Sequence, residues 1–263
     1  MNAPHPAIAF DHVSKRFGGR AALDDVTVSI SQGEFLAVVG RSGAGKSTLL
    51  AFVNRWTDPS AGKVLLEGQD VRTLDPIVLR RRVGYVFQEI GLFPHMTVAN
   101  NIAIVPRLLG WSALRVRARV DELLDLVRLE PSQFRDRFPR ELSGGQRQRV
   151  GVARALAAEP RIVLMDEPFG ALDPLTRDEI ANEYRGLHQT LKITTLMITH
   201  DITEALLLAD RIAVLHAGRL IAHGTPQQMM TQAQSGEAAD LIAMPRRNAE
   251  RLRTLAAERF GQA

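Results

Sequence analysis

Apolar residues along the chain follow two periods, and the switches between them mark out elements. Three β-branched runs, AIAFDHV, DDVTVSI and EFLAVVG, open the sequence and predict a small sheet feeding a core strand that ends in a glycine-rich turn. From Lys46 the segment KSTLLAFVNRW places Leu49, Leu50 and Val53 at helical spacing with no breaker, so it predicts a helix. A turn at DPSAGK leads to a strand (VLLEG), a short helix (PIVLRRR) and another strand (GYVFQ). From about Thr97 to Ala158 the period is helical, with apolar positions such as Val120, Leu123, Leu124 and Val127, which predicts a helical subdomain inserted into an α/β core. The core resumes at RIVLMDEP, a buried type of strand, followed by helix DPLTRDEIANEYRGLHQTL, strand ITTLMITH, helix ITEALLLAD and strands around RIAVLH and RLIAH. Such alternation predicts a mostly parallel sheet covered on both faces. From Gly236 onward the pattern is helical again, interrupted at Pro245, and no internal repeat or low-complexity tract is present.

Composition narrows the classes. With 263 residues, 45% hydrophobic and 24% charged, the chain can bury one large core or two smaller ones, which excludes a disordered tail or a small disulfide scaffold. It has no cysteine, hence no disulfide, thiolate metal site or thiol nucleophile. Its apolar stretches stop far short of the roughly 20 residues that cross a bilayer. The start, MNAPHPAIAFDHVSKRF, lacks the pattern of a secretory signal, so the expectation is a cytoplasmic chain. The net charge of +4 is concentrated in a tail holding Arg246, Arg247, Arg251, Arg253 and Arg259 against Glu250 and Glu258. Aromatics are 5% of the chain, without the basic, stacking surface of a nucleic-acid binder, and no nucleic-acid partner is expected.

Three motifs carry chemistry. Gly40-Arg41-Ser42-Gly43-Ala44-Gly45-Lys46-Ser47, continued by Thr48, satisfies G-x-x-x-x-G-K-[ST] with a strand before it and a helix after it. Its glycines let successive N–H groups face phosphate oxygens at the positive end of the helix. Lys46 adds a point charge near the β- and γ-phosphates, and Ser47 a hydroxyl ligand for Mg²⁺. Asp166 and Glu167 end the apolar run IVLM, at the edge where α/β sheets bind ligands. Asp166 suits Mg²⁺, and Glu167 suits orienting or deprotonating a water. The bland alternative is a strand cap beside Pro168. Ser143-Gly144-Gly145-Gln146, after Leu142, opens a helix with Ser143 as N-cap and exposes backbone donors, either as a second anion-binding turn or simply as a good helix start.

Together GRSGAGKS, Gln88, LSGGQ, the run before Asp166 and Glu167, Ala171-Leu172-Asp173 and His200 resemble the ATP-binding subunit of an ABC transporter, over residues 8 to 230 or so. The resemblance implies a P-loop NTPase core (RecA-like, mostly parallel) with a small antiparallel β subdomain and an inserted ABC-type helical subdomain over about 89–158. The expected domains are an ATPase domain over 1–235 and, from the helical pattern and charge beyond it, an Arg-rich helical tail over 236–263. It also implies a Mg²⁺-dependent ATPase, acting as a head-to-tail homodimer with ATP between the phosphate loop of one subunit and LSGGQ of the other. In such a protein Phe17 would stack on adenine, where tyrosine is more usual, unless it is a core phenylalanine. Gln88 would touch Mg²⁺ or the attacking water, and His200 the γ-phosphate. Asp173 would shape the dimer contact, a role compatible with capping the helix at Pro174. Arg41, where proline is frequent in relatives, has no functional account.

The segment Gln88-Glu89-Ile90-Gly91-Leu92-Phe93-Pro94-His95-Met96-Thr97-Val98, followed by NNIAIVPRLLGW, is similar to ATP-binding subunits of quaternary-amine importers (glycine betaine, choline, carnitine). Its apolar residues would offer a groove to a short helix of a transmembrane permease, unless they serve to pack the helical subdomain. The implied function is to energise an osmoprotectant importer from the cytoplasmic face of the inner membrane, with a substrate-binding protein acting indirectly. The alternatives are an importer of another small solute, such as an amino acid or sulfonate, or a soluble ABC ATPase. Several relatives continue into paired regulatory modules, and the expectation is that such regulation is absent here. The arginine tail is either a solvated helix or a contact for anionic lipid or an acidic partner surface.

Overall fold

The computed structural model describes residues 5–232 and 236–260, excepting the side chains of residues 232, 246, 248, 249, 252 and 255–260. In chain order, β1 (Ile8–Phe17) and β2 (Arg20–Ile30) form a hairpin, β3 (Phe35–Val39) runs into Gly40, and α1 (Lys46–Val53) follows. Next come β4 (Ala61–Leu66), β5 (Gln69–Asp70), α2 (Pro76–Arg82) and β6 (Val83–Val86). Helices α3 (Val98–Leu108), α4 (Ala113–Leu126), α5 (Pro131–Phe134) and α6 (Gly144–Leu156) fill the interval to β7 (Ile162–Asp166). Then follow α7 (Pro174–Leu191), β8 (Thr194–Thr199), α8 (Ile202–Leu208), β9 (Arg211–His216), β10 (Arg219–Gly224), α9 (Pro226–Gln232) and α10 (Gly236–Phe260).

The strands form two sheets, as the α/β pattern predicts. A small antiparallel sheet has the order β2-β1-β4-β5, and a larger one the order β10-β9-β3-β8-β7-β6, parallel except for the β9–β10 pair. Strand β3 shows why its sequence is apolar throughout. Leu36 and Val38 face the core shared with α1 and the antiparallel sheet, whereas Phe35, Ala37 and Val39 face the core shared with the helices. A strand covered on both faces cannot alternate.

Parallel pairing also fixes where chemistry can gather. Val39 pairs with Thr199, Asp166 with Ile198 and Val86 with Met165, so all four chains leave the sheet along one edge. Gly40, Gln88, Glu167 and His200 lie at or just beyond those strand ends.

Two details differ from the pattern. Helix α10 runs through Pro245, where an interruption is predicted. One missing N–H and a crowded preceding turn can bend a helix without ending it. Strand β1 extends past AIAFDHV to Phe17 across register shifts, with His12 at φ 51°, and such bulges erase the alternation that would reveal the strand's length. In the tail, Arg247 pairs with Asp240 at 3.0 Å, while the side chains of Arg246 and Arg259 lie outside the described residues. Among the described residues no helix is long and apolar enough to cross a membrane.

Candidate active site

The glycine-rich loop is wedged between the two sheets. A Cβ at Gly40 would strike the Leu215 carbonyl of β9, and one at Gly45 the Ala22 carbonyl of β2. Gly45 is the N-cap of α1 with φ 100°, a left-handed backbone that favours glycine, and no side chain caps the helix. The first turn of α1 therefore keeps its positive end open to an anion. Lys46 is buried, and its Nζ donates to Gly40 O at 2.7 Å and Arg41 O at 3.2 Å. Burial holds its ammonium below the usual lysine range, against the pull of Glu167 and Asp166.

The carboxylates face that lysine across the strand ends. Glu167 sits at φ 43°, and its N–H donates to Ile198 O at 2.9 Å. A left-handed glutamate costs about 1–2 kcal/mol, and here it turns the chain directly after β7. One oxygen, Oε2, meets both Gln88 Nε2 at 3.3 Å and His200 Nδ1 at 3.0 Å. Beside it the Asp166 carboxyl is pushed above the usual range by burial and by the Glu167 charge, with Tyr85 and Lys46 opposing. Tyr85 donates its hydroxyl to Asp166 Oδ2 at 3.4 Å, and burial with the Asp166 charge raises its own phenol. The edge thus gathers Lys46, Gln88, Asp166, Glu167 and His200. Tyr85 is absent from the motif reading; its only signal is its place in GYVFQ, the strand paired with the one carrying Asp166.

The remaining predicted residues lie apart from that cluster or at its margin. Ser143 is the N-cap of α6, with a reciprocal capping box: its Oγ accepts from Gln146 N at 3.2 Å and Gln146 Oε1 from Ser143 N at 3.0 Å. A Cβ at Gly144 would meet Leu172 and one at Gly145 would meet Thr176 and Ile180, none of them in the loop of Gly40–Ser47. Asp173 caps α7 by accepting from Thr176 N at 3.1 Å, which holds its carboxyl below the usual range. Phe17 is 54% exposed, which removes the core-packing alternative, and Lys15 Nζ lies 5.0 Å from its ring centre. Arg41, Ser42, Gly43 and Ser47 are exposed, and Ala44 is buried.

The ABC transporter family pattern matches residues 23–170, more than half of the chain. The chain belongs to the ABC transporter family. Among curated relatives of this ABC protein, the choline transport ATP-binding protein of Bacillus subtilis is 50% identical over 224 residues, covering 85% of this chain and 58% of the relative. The glycine betaine uptake system ATP-binding protein of Escherichia coli is 48% identical over 225 residues, covering 86% of this chain and 73% of the relative. A solved dimeric ATP-binding cassette in a post-hydrolysis state, bound to ADP and Pi, is 34% identical with a TM-score of 0.74, covering 83% of this chain and 98% of that one. The ABC protein spans about three fifths of the length of the first curated relatives it matches.

Proposed function

We propose that this chain hydrolyses ATP to energise an ABC importer, and that the solute is glycine betaine or a related quaternary amine. The ATPase reading rests on one observation above others: Gln88 and His200 converge on a single oxygen of Glu167, beside a half-buried Asp166 and a buried Lys46. A carboxylate oriented from two sides is prepared to align a water, and a buried lysine at the mouth of the loop is prepared to meet phosphate. Lys46 would exchange its bonds to Gly40 O and Arg41 O for phosphate oxygens, while the uncapped start of α1 accepts the remaining charge. Phe17, exposed at the end of β1, offers an aromatic face to adenine. Ser143 to Gln146 and Asp173 would serve the nucleotide of a second copy.

The donors present fit Mg²⁺. Ser47, Asp166 and Gln88 supply hard oxygens, and the charge of Asp166, disfavoured by burial and by Glu167, is only partly offset by Lys46, so a cation there would be welcomed. Bound there, Mg²⁺ would neutralise charge on the phosphates.

Partners and place in the cell belong to the same proposal. A groove of about 400 Å³ opens between β6, α3 and α6, lined by Tyr85, Phe87, Phe93, Ile104 and Val105 among others. It would take a short helix of a transmembrane permease, which would hold the ATPase at the cytoplasmic face of the membrane and couple it indirectly to a substrate-binding protein. The solute follows from relatives whose names refer to choline and glycine betaine. The test is ATP hydrolysis by the chain assembled with its permease, with candidate solutes presented on the cognate binding protein. Glycine betaine, choline or carnitine stimulates turnover on this reading. Stimulation by an amino acid or a sulfonate alone would reject the quaternary-amine assignment and leave the ATPase assignment intact.

A further inference from the structure

A buried ionisable group lies behind the site and takes no part in the reaction as described. Glu204, in the first turn of α8, is 8% exposed, and its Oε2 accepts the Thr199 hydroxyl at 2.7 Å. That hydroxyl oxygen also accepts the Asp201 N–H at 3.0 Å. Both residues flanking His200 are therefore tied through one hydroxyl to one carboxylate. Asp201 adds a cap on α8, accepting from Thr203 N at 2.8 Å and Glu204 N at 3.4 Å.

The other Glu204 oxygen faces α7. Arg177 Nε lies 3.8 Å from Glu204 Oε1, and that nitrogen is buried without a hydrogen-bond partner. The same guanidinium donates to Leu172 O at 3.2 Å and to Asp201 Oδ2 at 3.5 Å. Leu172 directly precedes Asp173, so Arg177 touches both the turn that carries Asp173 and the turn that carries His200. Burial pushes the Glu204 carboxyl up, and the Thr199 bond and the Arg177 charge counter that push. A buried ion pair is weak as a stabiliser, since an apolar residue of similar volume packs as well. Its value lies in fixing geometry. A cavity of about 360 Å³ lined by Arg177, Asp201, Thr203, Glu204 and Leu207 adjoins the pair.

We infer that Glu204 and Arg177 form a positioning brace: Glu204 fixes the His200 turn through Thr199, and Arg177 carries that position to the Leu172–Asp173 turn. The His200–Glu167 hydrogen bond and the placement of Asp173 are thereby set together. The inference rests on the ATPase reading above.

The test is a double-mutant cycle on turnover, with ATP affinity and thermal midpoint measured for every variant. Glu204→Ala and Arg177→Met each lower kcat about tenfold or more while ATP binding stays within about twofold. Glu204→Gln, which keeps an acceptor for Thr199, restores much of the loss. Glu204→Ala combined with His200→Ala turns over no slower than His200→Ala, because the brace acts through that histidine. Losses that multiply in the double variant, or wild-type turnover in Glu204→Ala, overturn the brace. Wild-type turnover in His200→Ala removes the histidine from the reaction and the brace with it, whereas the ATPase reading is decided separately by Glu167→Gln. Should Glu204→Ala fail to fold, Thr199→Val removes the shared hydroxyl without touching the charge pair and takes its place in the cycle.

Discussion

Asp166 and Glu167 are neighbours in sequence with opposite circumstances. Glu167 leaves the strand in a left-handed conformation and is met by two neutral or titratable side chains, Gln88 and His200. Asp166 stays on β7, where burial and the adjacent charge raise its carboxyl. A carboxyl whose pKa is higher folded than unfolded favours the folded state below the ordinary aspartate range, and that contribution is lost as pH rises through the folded value. At neutral pH the ionised Asp166 is therefore a cost to the nucleotide-free protein. Asp166→Asn accordingly unfolds at a higher temperature than the wild type at neutral pH, and the difference shrinks as pH falls towards about 4. Thermal unfolding of the two proteins across that interval, without nucleotide or metal, checks this. A difference that does not change with pH would mean that the carboxyl is not strained.

At the scale of elements, the glycine-rich loop is defined by what lies behind it. Gly45 combines φ 100° with a carbonyl and the Leu23 side chain where a Cβ would stand, whereas Gly43, at φ 79°, faces open space. Gly43→Ala should cost about 1–2 kcal/mol, the penalty of a left-handed residue. Gly45→Ala adds a collision with backbone and should cost about 4 kcal/mol or more. Equal losses by denaturant titration would show that the loop is not held against β2 at Gly45 as described. The motif was readable because phosphate chemistry demands glycines, a lysine and a hydroxyl at fixed offsets, and β3, α1 and β7 because their apolar runs are strong. The brace was not. Tyr85 reaches Asp166 through the parallel register of β6 and β7, and Arg177 reaches Glu204 through the packing of α7 on α8, contacts that no local pattern encodes. The reach of α10 past Pro245 was hidden for a different reason, since a local rule about proline gives way to a helix that tolerates one missing bond.

Over the whole molecule, the loop of Gly40–Ser47 and the LSGGQ turn are separate surfaces of one chain. The turn packs against α7 beside Leu172 and Thr176, next to Asp173, and the inferred brace extends that line of contacts to His200. A symmetric dimer in which each copy offers its turn to the other's loop would place two such assemblies around each nucleotide. Everything in that account depends on Glu167 activating water. The most direct measurement is therefore steady-state ATP hydrolysis by wild type and Glu167→Gln, with the dimer fraction measured in the same solutions. The account predicts that Glu167→Gln binds ATP, accumulates dimer and loses about two orders of magnitude or more in turnover. Turnover near the wild-type rate in Glu167→Gln would contradict it.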